Sequence, residues 1–107
     1  MQDIHGVTID SGETTSSEAN VSSQVVTGIE FPSSWDSGTV TFQARNKHTD
    51  DWTTLYDIAG TAVSSVSAAS RTVWLDPAWT LPAEYLRVVA PTQSADRVVY
   101  LHLRRAW

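Results

Sequence analysis

The residues able to do chemistry in this chain are few and scattered. Its only imidazoles are His5, His48 and His102, and it has no cysteine. Zinc sites collect His, Cys and acidic ligands at short spacings, and histidines this far apart supply none. Asp50 and Asp51, with Asp57 beyond, raise the question of calcium. The alternating acids and closing glutamate of an EF-hand loop are missing, and turn chemistry accounts for all three. Serine and threonine are abundant, yet none stands in a G-x-S-x-G elbow, and the five glycines form no phosphate loop. A Ser, His and Asp brought together by folding is open to almost any sequence. The expectation is a non-enzymatic domain with no catalytic residue, no metal site and no cofactor.

Tryptophan is the one unusual side chain: Trp35, Trp52, Trp74, Trp79 and Trp107 are many for 107 residues. Exposed in a line, such rings stack on sugars; buried, each removes about 150–250 Å² from water and needs a partner for its indole N–H. Trp35 and Trp79 lie beside prolines at strand ends and are expected in the core. Trp107 follows Arg104, Arg105 and Ala106, and two readings stand open for it: packing back on its own domain or docking on a neighbour.

The elements that would hold these residues are strands. Val40, Phe42 and Ala44 alternate with Thr39, Thr41, Gln43 and Arg45, the pattern of a strand with one face packed and one wet. Tyr85–Ala90 alternates in the same way. From Arg97 to Leu103, Val99, Leu101 and Leu103 share one face, and Val98, Tyr100, His102 and Arg104 the other. Val25–Phe31 puts Val25, Ile29 and Phe31 on one face and ends at Pro32. Trp52–Ile58, Ala62–Val66 and Arg71–Leu75 are further β-rich runs. Asn46–Asp51 and Asp76–Pro77 read as turns, and Pro77–Pro82 has room for one helical turn. No run holds helical apolar spacing for three turns.

Seven or eight short strands with Ser, Gly, Pro and Asp between them fit a two-sheet sandwich or a small barrel, and the sandwich is preferred because the alternating runs supply two apolar faces. Glu13–Gln24 is almost wholly polar, with Ala19 and Val21 its only apolar residues. Such a stretch stays mobile unless a neighbouring strand or another subunit pairs with it. Residues 1–24 are therefore expected as an edge segment and polar arm, with Ile4, Val7 and Ile9 forming a short edge strand at best. Residues 25–107 are expected as the antiparallel sandwich domain.

The length suits one domain. The net charge of −5 and the lack of a large Lys/Arg cluster argue against nucleic acid. No stretch approaches the roughly 18–20 apolar residues of a membrane helix, and Met1–Asp10 has neither the basic start nor the apolar run of a signal peptide, so a soluble protein is expected. The charge is uneven. Residues 1–60 hold nine acids against Arg45 and Lys47, and residues 61–107 three acids against five arginines. Solvated surface charge is the simpler reading of that asymmetry, and contact between copies the other.

In order along the chain, VTIDSG, VVTGIEFPSSW, VTFQAR, WTTLYD, ASRTVWLDPA, YLRVVAPT and ADRVVYLHLR resemble the segments of small β-rich virion proteins of tailed phages, prophages and gene transfer agents. The resemblance covers roughly residues 7–104 and consists of hydrophobic punctuation, with Gly28, Pro32, Trp35, Phe42, Leu55, Tyr56, Asp76, Pro77, Leu86 and Arg97 as its structural positions. The turn NKHTDD departs from the glycine-rich one that relatives favour. The resemblance implies a jelly-roll-like sandwich in the virion, assembled in the host cytoplasm, as a head spike or fibre base or a capsid decoration protein. Its partners would be copies of itself and other capsid or spike proteins. A module attaching to surface glycans and a head-to-tail or tail accessory protein are the alternatives. Aromatic residues and arginine dominate interfaces, so Tyr100, His102, Arg104, Arg105 and Trp107 are the expected contact residues.

Overall fold

A strand of alternating residues buries one face only if a second layer lies opposite, and this chain supplies both layers. The computed structural model describes residues 2–46, 51–76 and 84–105, and all its regular structure is β. The strands are β1 (Gln2–Ile9), β2 (Ala19–Asn20), β3 (Gln24–Glu30), β4 (Gly38–Arg45), β5 (Thr53–Thr54), β6 (Ser64–Ser67), β7 (Thr72–Trp74), β8 (Tyr85–Val89) and β9 (Arg97–Arg105). One sheet has the order β1-β9-β3-β7; the other has β2-β8-β4-β5, with β6 also paired to β4.

The antiparallel pairs are nested. β1 pairs with β9, β2 with β8, β3 with β7, and β4 with β5 and β6. The chain is thus one long double-stranded ribbon folded at its middle. Wrapping that ribbon brings β9 beside β3 and β8 beside β4, which closes two sheets over a common core. This is the winding of a jelly roll, a two-sheet sandwich of antiparallel strands.

The core is the inward set of both sheets. Val7 and Ile9, Val26 and Ile29, and Val99, Leu101 and Leu103 come from the first sheet; Val40 and Phe42, with Leu86 and Val88, come from the second. Phe31 and Trp35 close one end with their ring centroids 4.9 Å apart. Trp35 is in the core as expected, and its indole N–H donates to the Ser67 hydroxyl at 2.8 Å.

Residues before 25 are built into both sheets, so the strand pairing has no division at residue 24. β1 pairs over eight consecutive residues with β9, and Val7 and Ile9 are fully buried. The polar stretch is held by strand neighbours. Thr15 bridges to Val89 and β2 pairs with Leu86 and Tyr85. The buried Ser16 hydroxyl accepts from the Val88 amide at 2.9 Å, while Ala19 and Val21 enter the core.

Two local readings change for identifiable reasons. In β3 the register shifts between Val26 and Gly28, so the bulge sets Val26, opposite Leu103, on the core face with Ile29, while Val25, expected there, stands opposite Arg104 on the other face and is buried outside the core cluster. In β6 the polarity is inverted: Ser65 and Ser67 face the core and Val66 is exposed, because the Ser67 hydroxyl has buried partners to satisfy. The run Trp52–Ile58 is mostly irregular, with strand pairing only at Thr53–Thr54 and a bridge from Tyr56 to Ala62. Most of the NKHTDD turn, the Pro77–Pro82 segment, Trp79 and Trp107 lie outside the described residues.

Candidate functional site

The outer face of the β1-β9-β3-β7 sheet carries the expected contact residues. Side chains that stand opposite each other in a sheet share a face, so the register defines two rows crossing all four strands. One runs Trp74, Gly28, His102, Ile4; the next runs Thr72, Glu30, Tyr100, Gly6. Val98 and Thr8 extend the face on the far side of Tyr100, and Arg104 lies beyond His102.

Three large apolar groups in these rows face solvent: Trp74 is 84% exposed, Ile4 58% and Tyr100 42%. The glycines between them keep the face low. A Cβ on Gly28 would stand 3.2 Å from the Val73 carbonyl oxygen and 3.8 Å from the His102 Cβ. A Cβ on Gly6 would meet Val98 Cγ1 at 3.1 Å and the Tyr100 ring at 3.4 Å. Across the rows, His102 Nε2 lies 3.1 Å from Glu30 Oε1, a contact that is an ion pair when the imidazole is protonated.

The structure therefore brings Tyr100, His102 and Arg104 onto one face. Arg105 is exposed at the end of β9 on the opposite parity, opposite Gln24 of β3, and Trp107 lies outside the described residues. Sequence reasoning missed Ile4 and Trp74 as members of this face. The alternation of β7 would have given the parity of Trp74, but which strand lies beside it follows only from the ribbon winding.

The other sheet presents a different surface. Arg45 lies over the Tyr85 ring at 4.2 Å and Arg87 over the Trp52 ring at 4.4 Å. Arg45 also pairs with Glu18 at 2.8 Å, and the Arg87 Nε donates to Gln43 at 2.7 Å. These guanidinium groups have carboxylate, amide and aromatic partners inside the chain, so the cluster is a finished surface. Of the described tryptophans, Trp35 is buried, Trp52 is in this cluster and Trp74 is on the opposite sheet, so they form no exposed line.

One end of the sandwich is tied by side chains from two loops, β3–β4 and β8–β9. The fully buried Gln93 accepts from the Asp36 amide at 3.0 Å and donates to the Pro91 carbonyl at 2.8 Å. Asp36 accepts from the Ser94 amide at 2.6 Å, with Arg97 4.0 Å away. The hydrogen bonds from the Ser94 amide and hydroxyl hold the Asp36 carboxyl below its ordinary range against a smaller opposing desolvation effect, with the Arg97 charge the least of the causes. Among the described residues, no group of three His, Cys, Asp or Glu side chains is placed to hold a metal ion.

In comparisons with known proteins, no protein family model matches this chain, and neither does any curated protein or solved structure.

Proposed function

We propose that the chain is a structural subunit of a tailed-phage particle, a head spike or fibre base or a capsid decoration subunit, acting through contacts with copies of itself and with other particle proteins. The observation that carries this reading is the outer face of the β1-β9-β3-β7 sheet, where Trp74, Ile4 and Tyr100 stand exposed on a four-stranded platform. Interface centres are built from such anchors, with aromatic residues and arginine in excess and a polar rim around them. His102 and Glu30 stand among these anchors as a polar pair, and Arg104 lies beyond them at the border of the face. Jelly rolls serve in viral capsid domains and in lectins alike, so fold alone does not choose between a particle subunit and a glycan-binding module. The dispersed tryptophans and the internally paired arginines of the second sheet favour the particle subunit.

The test is replacement of Trp74 and Tyr100 together by serine. Both side chains lie on the wet face, so the double variant keeps the wild-type melting temperature to within a few degrees and loses incorporation into particles. Normal incorporation of the folded double variant contradicts the reading. Binding of the wild-type protein to a surface-glycan array would move the assignment to the lectin-like alternative.

A further inference from the structure

Among the described residues β1 is an edge strand whose outer hydrogen-bonding side carries no paired strand. Its pairing with β9 is unbroken from Gln2 to Ile9, and no strand of the described chain lies on its other side. The Thr8 amide donates to the Ser17 hydroxyl at 3.0 Å and the Thr8 carbonyl accepts from the Ser17 amide at 2.9 Å. Thr8 therefore turns its backbone groups away from β9. In an antiparallel ladder that orientation alternates, so Ile4 and Gly6 also aim their amides and carbonyls outward. Ser17 covers the edge only at Thr8.

Edge strands that remain single are blunted by proline, by lysine, by a bulge or by being short. Charged side chains and covering loops blunt edges too, and β1 has Asp3, held by Gln24, and the Ser17 cover at Thr8; beyond these, residues 2–8 contain no proline or lysine, the register is unbroken, and the strand is eight residues long. The opposite edge of the same sheet, β7, has only three residues.

We infer that the edge of β1 from Gln2 to Gly6 pairs antiparallel with the same segment of a second copy, about a two-fold axis through Ile4. The side chains select this register. It sets Ile4 against its symmetry mate, packing together two residues that are each 58% exposed in the single chain. It sets Asp3 against His5 of the other copy twice, an acid facing an imidazole in both cases. It sets Gln2 against Gly6 twice, and it leaves Thr8 and its Ser17 cover outside the paired segment. The Gln24 amide holds one oxygen of Asp3 at 2.6 Å, leaving the other for the partner. Opposed residues share a face, so the row Trp74, Gly28, His102, Ile4 continues into Ile4, His102, Gly28, Trp74 of the second copy, in one sheet of eight strands. The pairing goes beyond the particle role and is independent of it.

The chain has no cysteine, so single cysteines report this geometry directly. Opposed Cα atoms of a hydrogen-bonded antiparallel pair are about 5.5 Å apart, inside the roughly 4.4–6.8 Å that a disulfide spans. Ile4→Cys is expected to cross-link to a dimer under mild oxidation. Thr8→Cys should not, because its two copies would stand about 27 Å apart at about 3.4 Å per residue. Equal cross-linking of the two variants overturns the inference. Analytical ultracentrifugation of the wild-type chain at roughly 100 µM, suited to a small interface, should show dimer, and a monomer at that concentration overturns it. Ile4→Pro removes an outward amide and spares the β9 ladder, so it should give a folded monomer. Should that variant fail to fold, charge exchange decides. His5→Asp opposes two pairs of carboxylates and should weaken the dimer at least tenfold, and adding Asp3→Lys should restore it; failure of that rescue overturns the register. A monomer that still enters particles would refute the pairing and leave the particle role standing.

Discussion

Ser67→Ala tests how the inverted strand β6 is held. The Ser67 hydroxyl donates to the Gly38 carbonyl at 2.6 Å, and it accepts from the Trp35 indole at 2.8 Å and from the Gly38 amide at 3.2 Å. Ser67 is 2% exposed and Trp35 6%, so alanine leaves the indole N–H buried with no acceptor, at about 1–3 kcal/mol. Gly38 is only half buried and can turn to water, so the loss is placed near 2 kcal/mol. For a domain of this size that lowers the melting temperature by about 10 °C. Urea denaturation of Ser67→Ala, Trp35→Phe and the double variant separates the hydrogen bond from packing. The double variant should lose about 1 kcal/mol less than the sum of the single losses, because the orphaned donor is gone. A Ser67→Ala loss below about 0.5 kcal/mol, or strict additivity, refutes the reasoning.

Three further outcomes are expected. Gly28→Ala places a methyl 3.2 Å from the Val73 carbonyl oxygen, a backbone atom with little freedom to move, and should cost about 1–2 kcal/mol by overpacking, read as a lower urea midpoint. The lowered Asp36 carboxyl stabilises the fold at pH above the ordinary carboxylate range. That contribution declines as pH falls through the range and is gone below the depressed folded value, so the melting-temperature gap between wild type and Asp36→Asn should close on acidification. Arg104→Ala with Arg105→Ala and deletion of Ala106 and Trp107 should leave the melting temperature near wild type and reduce oligomers or particle incorporation; normal assembly would place the contacts elsewhere on the face.

The strands with one wet face were legible because alternation is a local property. β4, β8 and β9 carry it cleanly, and the bounds found for them lie within two residues of those read from the sequence. The exceptions each depend on something distant. The run Ala62–Val66 reads as Val63 and Val66 among serines, and only the indole of Trp35 explains why Ser67 is buried in β6. Val26 turns inward because of a bulge beside Gly28, where a neighbouring carbonyl comes close. Ser16, Ala19 and Val21 are ordered by Val88, Leu86 and Glu84, far along the chain. Folding also brings two acids of the first half to basic groups of the second. The nested ribbon sets early residues against late ones, so Asp36 meets Arg97 and Glu30 meets His102 within one molecule. Of the candidate face, the row Tyr100, His102, Arg104 followed from parity alone, whereas Ile4 and Trp74 joined it only once the neighbours of β9 and β3 were known.

The proposed place of this chain in a phage particle is tested most directly by locating it in a density map of purified particles. Density for the jelly roll is expected at symmetry-related positions on the particle, with the Trp74, Tyr100 and Ile4 face against a neighbouring subunit. Particles that lack the chain while it accumulates free in the lysate, or particles in which that face points to solvent in every copy, would contradict it.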